Sequence, residues 1–402
     1  MIANQACRPF DPKLLDYCTT DNQREIYAAY GKHGTVNETS RKLGKDSSAV
    51  SQAIRAIQKK ANAAGYTPQG DFTALVGDGQ TIIGKSTFTK DPDGNPVWIK
   101  TKADVEKQQE AFRQYIDSLC AEIKPAKPIA TPKGVSDKSL LSAIFIGDAH
   151  VGMYAYAPET KHTDFDSDIA AKGLRDAIDD LISRSPNAEQ GMLVDVGDFM
   201  HANSSLNKTY AGTDVDVDTR YSRVLEIAGQ VMQYAVSQML KKFQKVIVVI
   251  AKGNHNPDAA VAVQQITKAY FHKEPRVEIL KTIGFFHYIE WGNWLIGVNH
   301  GDKVKAPKLV NVMARDMAQA WGRTTHRMWA IGHFHHEKVT ELDGCTIHQF
   351  GALPPPDGWH ASMGYGGDGQ MQMITFKKEG GKHSTLIYDL PRPNIQPDAV
   401  LV

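Results

Sequence analysis

Five short runs rich in valine and isoleucine each end in a cluster of side chains that bind metals. LLSAIFIGDAH closes on Asp148 and His150, MLVDVGDFMH on Asp198 and His201, and VIVVIAKGNH on Asn254 and His255. WLIGVNHGD closes on His300 and Asp302, and MWAIGHFHH on His333, His335 and His336. Short apolar runs without polar alternation read as strands buried on both faces. Ligands at the C-terminal ends of such strands converge on one edge of a sheet, which is where open α/β sheets place their sites. A single histidine after an apolar run is commonly a core or loop residue. Five such ends in one chain constrain the fold to an α/β sheet with a polar, ligand-bearing edge.

At 402 residues the chain is long for one core, and its length predicts two or three domains. Apolar residues make up 42% and charged residues 23%, the balance of a globular protein. No apolar run is long enough to span a bilayer, so no membrane partner is expected. The opening MIANQACRPFDPK lacks an apolar signal core, and Cys7, Cys18, Cys120 and Cys345 form no zinc or disulfide pattern. Both features lead us to expect a reducing cytoplasm. Net charge is +1, which by itself points to no partner, although residues 1–70 hold ten Lys/Arg against six Asp/Glu.

Three zones follow along the chain. Residues 1–66 read as helices: DNQREIYAAYGKHG stops at Gly34, TVNETSRKLG stops at Gly44, and a third helix starts at Asp46 or Ser47 with Val50, Ile54 and Ile57 at helical spacing. Helix, short helix, glycine turn and longer basic helix make a helix-turn-helix pattern, alternatively a small three-helix bundle that packs on the second zone or on a protein partner. In the first reading Ser47, Ser48, Ser51, Gln52 and Arg55 face DNA. Residues 67–123 read as a hairpin around Asp-Pro-Asp-Gly-Asn followed by an amphipathic helix. The proline- and lysine-rich segment 124–138 reads as a linker, 139–390 as the domain carrying the chemistry, and 391–402 as a loose tail.

Two motif matches are rejected on context. Gly79–Ser86 fits the phosphate-loop pattern, but no strand-to-helix turn surrounds it. Asp214, Asp216 and Asp218 begin like a calcium loop, but the sixth position is Thr219 and the twelfth Leu225, so these carboxylates are expected to cap a helix starting near Thr219.

Taken in order, Asp148-Ala149-His150, Gly197-Asp198, Gly253-Asn254-His255, His300 and Gly332-His333-Phe334-His335 resemble the calcineurin-like metallophosphoesterases. Gly197-Asp198-Phe199-Met200-His201 is most similar to the form found in SbcD-type repair exonucleases, and the whole arrangement resembles phage-encoded phosphoesterases with an N-terminal helix-turn-helix. The resemblance implies a four-layer α/β/β/α sandwich holding two divalent metals. One would be held by Asp148, His150, Asp198 and His335, the other by Asp198, Asn254, His300 and His333, with a hydroxide between them. Carboxylate, imidazole and amide donors without thiolates favour manganese among Mn, Fe, Zn and Mg. The resemblance also makes Asp198 the bridging ligand and His255 the acid at the leaving oxygen. Its departure is Asn256, where the family commonly has an acidic residue; Asp258 is the candidate substitute for orienting His255.

These readings lead us to expect a DNA phosphodiesterase, a nuclease in the host cytoplasm of a phage. His201, Arg220, Asp258 and Asp302 are candidate substrate or supporting residues, and Lys303, Lys305 and Lys308 a candidate basic rim. By analogy only, related nucleases add a homodimer and an ATPase partner. A phosphomonoesterase or protein phosphatase, and a DNA-binding regulator with a slow metal site, are the alternatives that the ligand pattern leaves open.

Overall fold

The computed structural model describes residues 10–67, 70–71, 73, 80–84, 89–90, 96–97, 100–103, 105–134, 136–281, 284–364, 366–367 and 369–390. The chain divides into two compact units, Met1–Tyr115 and Ile116–Val402.

In the first unit, three helices are delimited by their caps. Thr20 accepts from the Gln23 amide to start α1 (Asp21–His33), which ends on Gly34 at φ 72°. Thr35 caps α2 (Val36–Leu43), which ends on Gly44 at φ 62°, and Asp46 caps α3 (Ser47–Ala63). Glycine takes these left-handed positions without a Cβ clash, which is why both helices stop where they do. Leu14, Ile26, Tyr27, Val50, Ile54 and Ile57 close a small core. Ser47, Ser48, Gln52 and Arg55 lie exposed on α3 and Ser51 half-buried. Further on, Thr89–Lys90 pairs antiparallel with Pro96–Val97, while the turn between them lies outside the described residues. Gln80–Gly84, inside the rejected phosphate-loop match, is a strand paired with Lys100–Ala103. Gly79, Lys85 and Ser86 of that match lie outside the described residues, as does 391–402. Helix α4 (Val105–Glu122) follows.

The second unit holds two sheets. In the first sheet β1 (Asp137–Ile146), β2 (Ala188–Asp195), β3 (Lys245–Ile250) and β4 (Val277–Ile279) run parallel. The second sheet contains β5 (His287–Trp291), β6 (Trp294–Val298), β7 (His326–Ile331), β8 (Lys338–Leu342) and β9 (Cys345–Gln349), in the order β5-β6-β7-β9-β8. Strands β10 (Gln370–Lys377) and β11 (Lys382–Asp389) return to the first sheet, giving it the order β4-β3-β2-β1-β10-β11. Leu141, Phe145, Val194, Val249 and Phe376 from the first sheet meet Trp294, Ile296, Met328 and Ala330 from the second in one core. Helices α5 (Ser167–Arg184), α6 (Tyr221–Lys242) and α7 (Pro257–Phe271) pack against the first sheet, and α8 (Ala306–Asp316) covers Leu295, Trp329 and Ile347 of the second. Burial on both faces explains the unbroken apolar runs. The one hydroxyl deep in β1, Ser142, is satisfied by Thr375 at 2.9 Å on β10.

Two sequence expectations change here. The segment 124–138 is tied along its own unit: Ala126 N donates to Tyr270 O at 2.8 Å, Arg276 Nη2 to Ile129 O at 2.7 Å and Gln244 Nε2 to Pro132 O at 3.1 Å. Strand β1 already begins at Asp137. Asp218, expected to cap the helix after it, instead accepts from Ser167 N and Ser167 Oγ, both at 2.8 Å, at the start of α5. Helix α6 begins at Tyr221 without a side-chain cap. Truncating Phe145, fully buried with its ring 4.4 Å from that of Phe350, is expected to cost about 3–5 kcal/mol in urea unfolding.

Candidate metal centre

The ligand candidates sit in the turns that leave β1, β2, β3, β6 and β7, and these turns interlock. Asp148 is fully buried and accepts the His333 amide on both carboxylate oxygens, at 3.0 and 2.9 Å. Asp198, equally buried, accepts the His255 amide at 2.8 Å. The glycines of the motifs allow this approach. A Cβ on Gly253 would lie 1.9 Å from Asp198 Oδ1, and one on Gly332 would lie 2.5 Å from Asp148 Oδ2.

The backbone is strained where the ligands stand. Of seven described non-glycine residues with positive φ, five are Asp148 (32°), His150 (43°), Asp198 (54°), His333 (75°) and His335 (59°). Each such residue costs about 1–3 kcal/mol unless its surroundings hold it, and strain of this kind gathers at functional sites.

Two groups of ligand atoms result: Asp148, His150 and His335, and Asp198, His300 and His333, the atoms of each lying within 4.8 Å of one another. In the first, His150 Nε2 is 3.1 Å from His335 Nε2, and His335 Nε2 is 3.8 Å from Asp148 Oδ1. In the second, His300 Nε2 faces Asp198 Oδ2 at 2.9 Å and Asn254 Oδ1 at 3.0 Å, while its Nδ1 donates to Val196 O at 3.1 Å. Donors bonded to one cation at about 2.1 Å stand at most about 4.2 Å apart, and these atom pairs lie within that reach, so each group is a candidate for a divalent ion.

The electrostatics agree with that fit. Burial drives the pKa values of His150 and His333 down and takes His335 to about 3, leaving neutral imidazoles with lone pairs to offer. Burial also disfavours charge on His300, but Asp198 and Asp148 outweigh it and pull its pKa up to about 10. Burial likewise opposes ionisation of Asp198, yet His300 holds this carboxylate well below the usual range. Asp148 is pushed up, chiefly by burial. Without a metal, the His300 proton is thus the cation on which Asp198 and Asn254 converge.

His201 is buried, and its Nδ1 lies 3.1 Å from His150 Nδ1. For His150 to offer Nε2, its Nδ1 must carry the proton and donate it to His201, which makes His201 the orienting partner. His201 also completes a third group with His150 and His255 that the sequence reading lacked. The His255 ring is held by Nδ1 against His201 O at 2.8 Å, which leaves Nε2 for proton exchange. Asp258 does not take up that role. It accepts from Asn203 Nδ2 at 2.8 Å and its amide donates to Asn203 Oδ1 at 3.0 Å, locking α7 to the loop after β2. Asn256 is fully buried; with its amide oxygen turned toward donors, it accepts from Phe199 N at 3.1 Å and Met200 N at 2.8 Å. An amide oxygen does this as well as a carboxylate, so the departure from an acidic residue preserves the turn.

Asp302 lies beside the second group, where its charge acts on His300 and His333. Arg220 stands exposed at the start of α6, with no hydrogen bond or ring contact tying it to these ligands. Two further residues escaped the sequence reading. Asp195, at the end of β2, is buried, accepts from Gly197 N at 2.9 Å, and has its carboxyl pushed well up chiefly by burial. Asp357 bonds His360 Nδ1 at 2.8 Å, and the His360 ring stacks 4.8 Å from that of His335. An Asp-x-x-His spacing that caps a short helix was the available signal.

No protein-family model matches the chain, and no curated protein does. Among solved structures, it is similar to a predicted phosphoesterase from Streptococcus pneumoniae TIGR4, with 9% identity over 63% of this chain and 100% of that one and a TM-score of 0.27. A zinc-complexed Vps29 from Entamoeba histolytica matches at 13% identity over 62% and 91% of the two chains, with a TM-score of 0.28. A novel archaeal phosphodiesterase matches at 11% identity over 62% and 99%, with a TM-score of 0.32. Likeness at this level carries no function, and the chemistry rests on the residues themselves.

Two outcomes are expected. The folded pKa of His300 lies above its unfolded value, so its contribution is complete below about pH 6.5 and is lost as pH rises toward 10. Metal-free protein should therefore lose stability between about pH 7 and 8.5, with His300 alone contributing at most about 1.4 kcal/mol per pH unit, and Mn²⁺ or Zn²⁺ should flatten that slope in thermal melts. Replacing His201 with alanine should weaken metal binding about 10–100-fold in a chelator competition titration.

Proposed function

We propose that the chain is a metal-dependent phosphoester hydrolase acting on the diester linkages of DNA. In this reading the second unit is a four-layer α/β/β/α sandwich of the calcineurin-like class, and α1–α3 are a helix-turn-helix that engages DNA. The observation that carries it is the pair of ligand groups built by five strand ends, with an oriented imidazole beside them. Asp148, His150 and His335 would hold one divalent ion and Asn254, His300 and His333 the other, with Asp198 shared. The all-nitrogen-and-oxygen donor set favours manganese. When bound, two such cations supply Lewis acidity and acidify water at neutral pH.

The chain's own residues do the rest. The amides of His333 and His255 hold the two carboxylates in place. His201 fixes His150 through its second nitrogen. His255, with Nδ1 committed to a carbonyl, delivers a proton from Nε2 to the leaving oxygen, work suited to an imidazole near neutral pH.

Hydrolysis of bis-p-nitrophenyl phosphate and of labelled single- and double-stranded DNA, with Mn²⁺, Mg²⁺ or EDTA, tests the reading. Diester and DNA cleavage should require metal, fall about 10²–10⁴-fold in His255→Ala, and vanish in Asp198→Ala. Activity confined to monoesters would make the protein a phosphatase. DNA binding by a wild type inert toward every ester, unchanged in Asp198→Ala, would make it a regulator.

A further inference from the structure

The turn that carries His333 and His335 sets both residues at positive φ and leaves the side chain between them, Phe334, 48% exposed. Its ring lies 5.1 Å from that of His333. On the other ligand group, Trp359 is 61% exposed, with its ring 4.9 Å from that of His360. His360 in turn stacks on His335. Two exposed aromatic rings therefore lie at the edge of the centre, Phe334 against a member of one group and Trp359 one ring, that of His360, removed from a member of the other. Next to the second group, Lys303 Nζ lies 3.7 Å and Lys252 Nζ 5.7 Å from the centroid of Phe285, placing two cations on the rim.

Leaving large rings in water forgoes the free energy of burying them, so such a pair at the edge of the centre calls for a ligand with apolar faces. Each ring sits against an imidazole, Phe334 against His333 and Trp359 against His360. Separate rings, each beside polar groups and with lysines nearby, match a ligand in which flat bases alternate with phosphates. We propose that Phe334 and Trp359 stack the bases on either side of the scissile phosphate of a single-stranded nucleic acid, while Lys252 and Lys303 meet a neighbouring phosphate. In a duplex those base faces are already stacked, so the rings select unpaired strands. The inference rests on the phosphodiesterase reading and names the form of its substrate.

The test is cleavage by the full chain with Mn²⁺ of a short single strand with one hydrolysable linkage, the others being methylphosphonates. It is compared with strands carrying an abasic residue on one side or the other of that linkage, and with the duplex. Each abasic substitution should raise KM about ten-fold or more, and the duplex should be the poorer substrate. Phe334→Leu should erase the abasic penalty on one side and Trp359→Leu on the other, a ratio read within each variant and so independent of its yield of active protein. An active wild type that cleaves natural and abasic strands alike, or prefers the duplex, overturns the inference alone. A wild type that cleaves no diester of any kind overturns the reading beneath it. Impaired phosphopeptide hydrolysis in both variants, without an abasic penalty in the wild type, would assign the rings to a protein substrate and overturn the inference.

Discussion

Two buried carboxylates hold together the edge of the second unit where the ligand candidates gather. Asp148 follows β1 in one sheet yet takes its amide donor from His333, which follows β7 in the other. Asp198 follows β2 and is bound by the His255 amide and by the His300 ring, again joining the two sheets. A carboxylate removed from water must be paired or hydrogen-bonded, and here the partners are the turns that carry the remaining ligands. Each acid is thus both a candidate metal ligand and the fastener that brings another candidate into range. The close fit of Gly253 and Gly332 follows, because the fasteners sit where a Cβ would go.

The left-handed conformations have the same origin. A strand leaving the sheet must turn at once if its first polar side chain is to point along the edge instead of into solvent. Positive φ at Asp148, Asp198 and His333 makes that turn at the cost of strain. Strain borne by the ligands themselves means that ligand geometry and backbone geometry are one problem. Substituting Asp148 or Asp198 would remove a candidate ligand together with the hydrogen bond that holds another turn of the edge.

Much of this edge is legible in the sequence because its signals are local. A doubly buried strand must be apolar throughout, and polar residues at its end then stand out. Helix ends at Gly34 and Gly44 are readable for the same reason, since left-handed termini need a residue without a Cβ. What escapes is long-range pairing. Nothing near His201 indicates that its partner is His150, 51 positions earlier, or that its carbonyl would orient His255 in place of Asp258. His360 follows an irregular proline-rich stretch without periodicity, and only the folded chain brings it onto His335. Asn256 looked like a lost acid but is a backbone clamp, a role that depends on which amides fold around it.

The hydroxyl pair between Ser142 and Thr375 joins positions separated by 233 residues. Strand β1, which leads directly into Asp148, lies between β2 and β10, and β10 does not begin until Gln370. During synthesis one edge of β1 therefore waits unpaired while both ligand groups emerge. Contacts this distant in sequence are slow to form, and an unpaired strand edge is where chains associate wrongly. The strand that completes the sheet carries none of the ligand candidates, yet only its arrival covers the open edge of the strand that leads into Asp148.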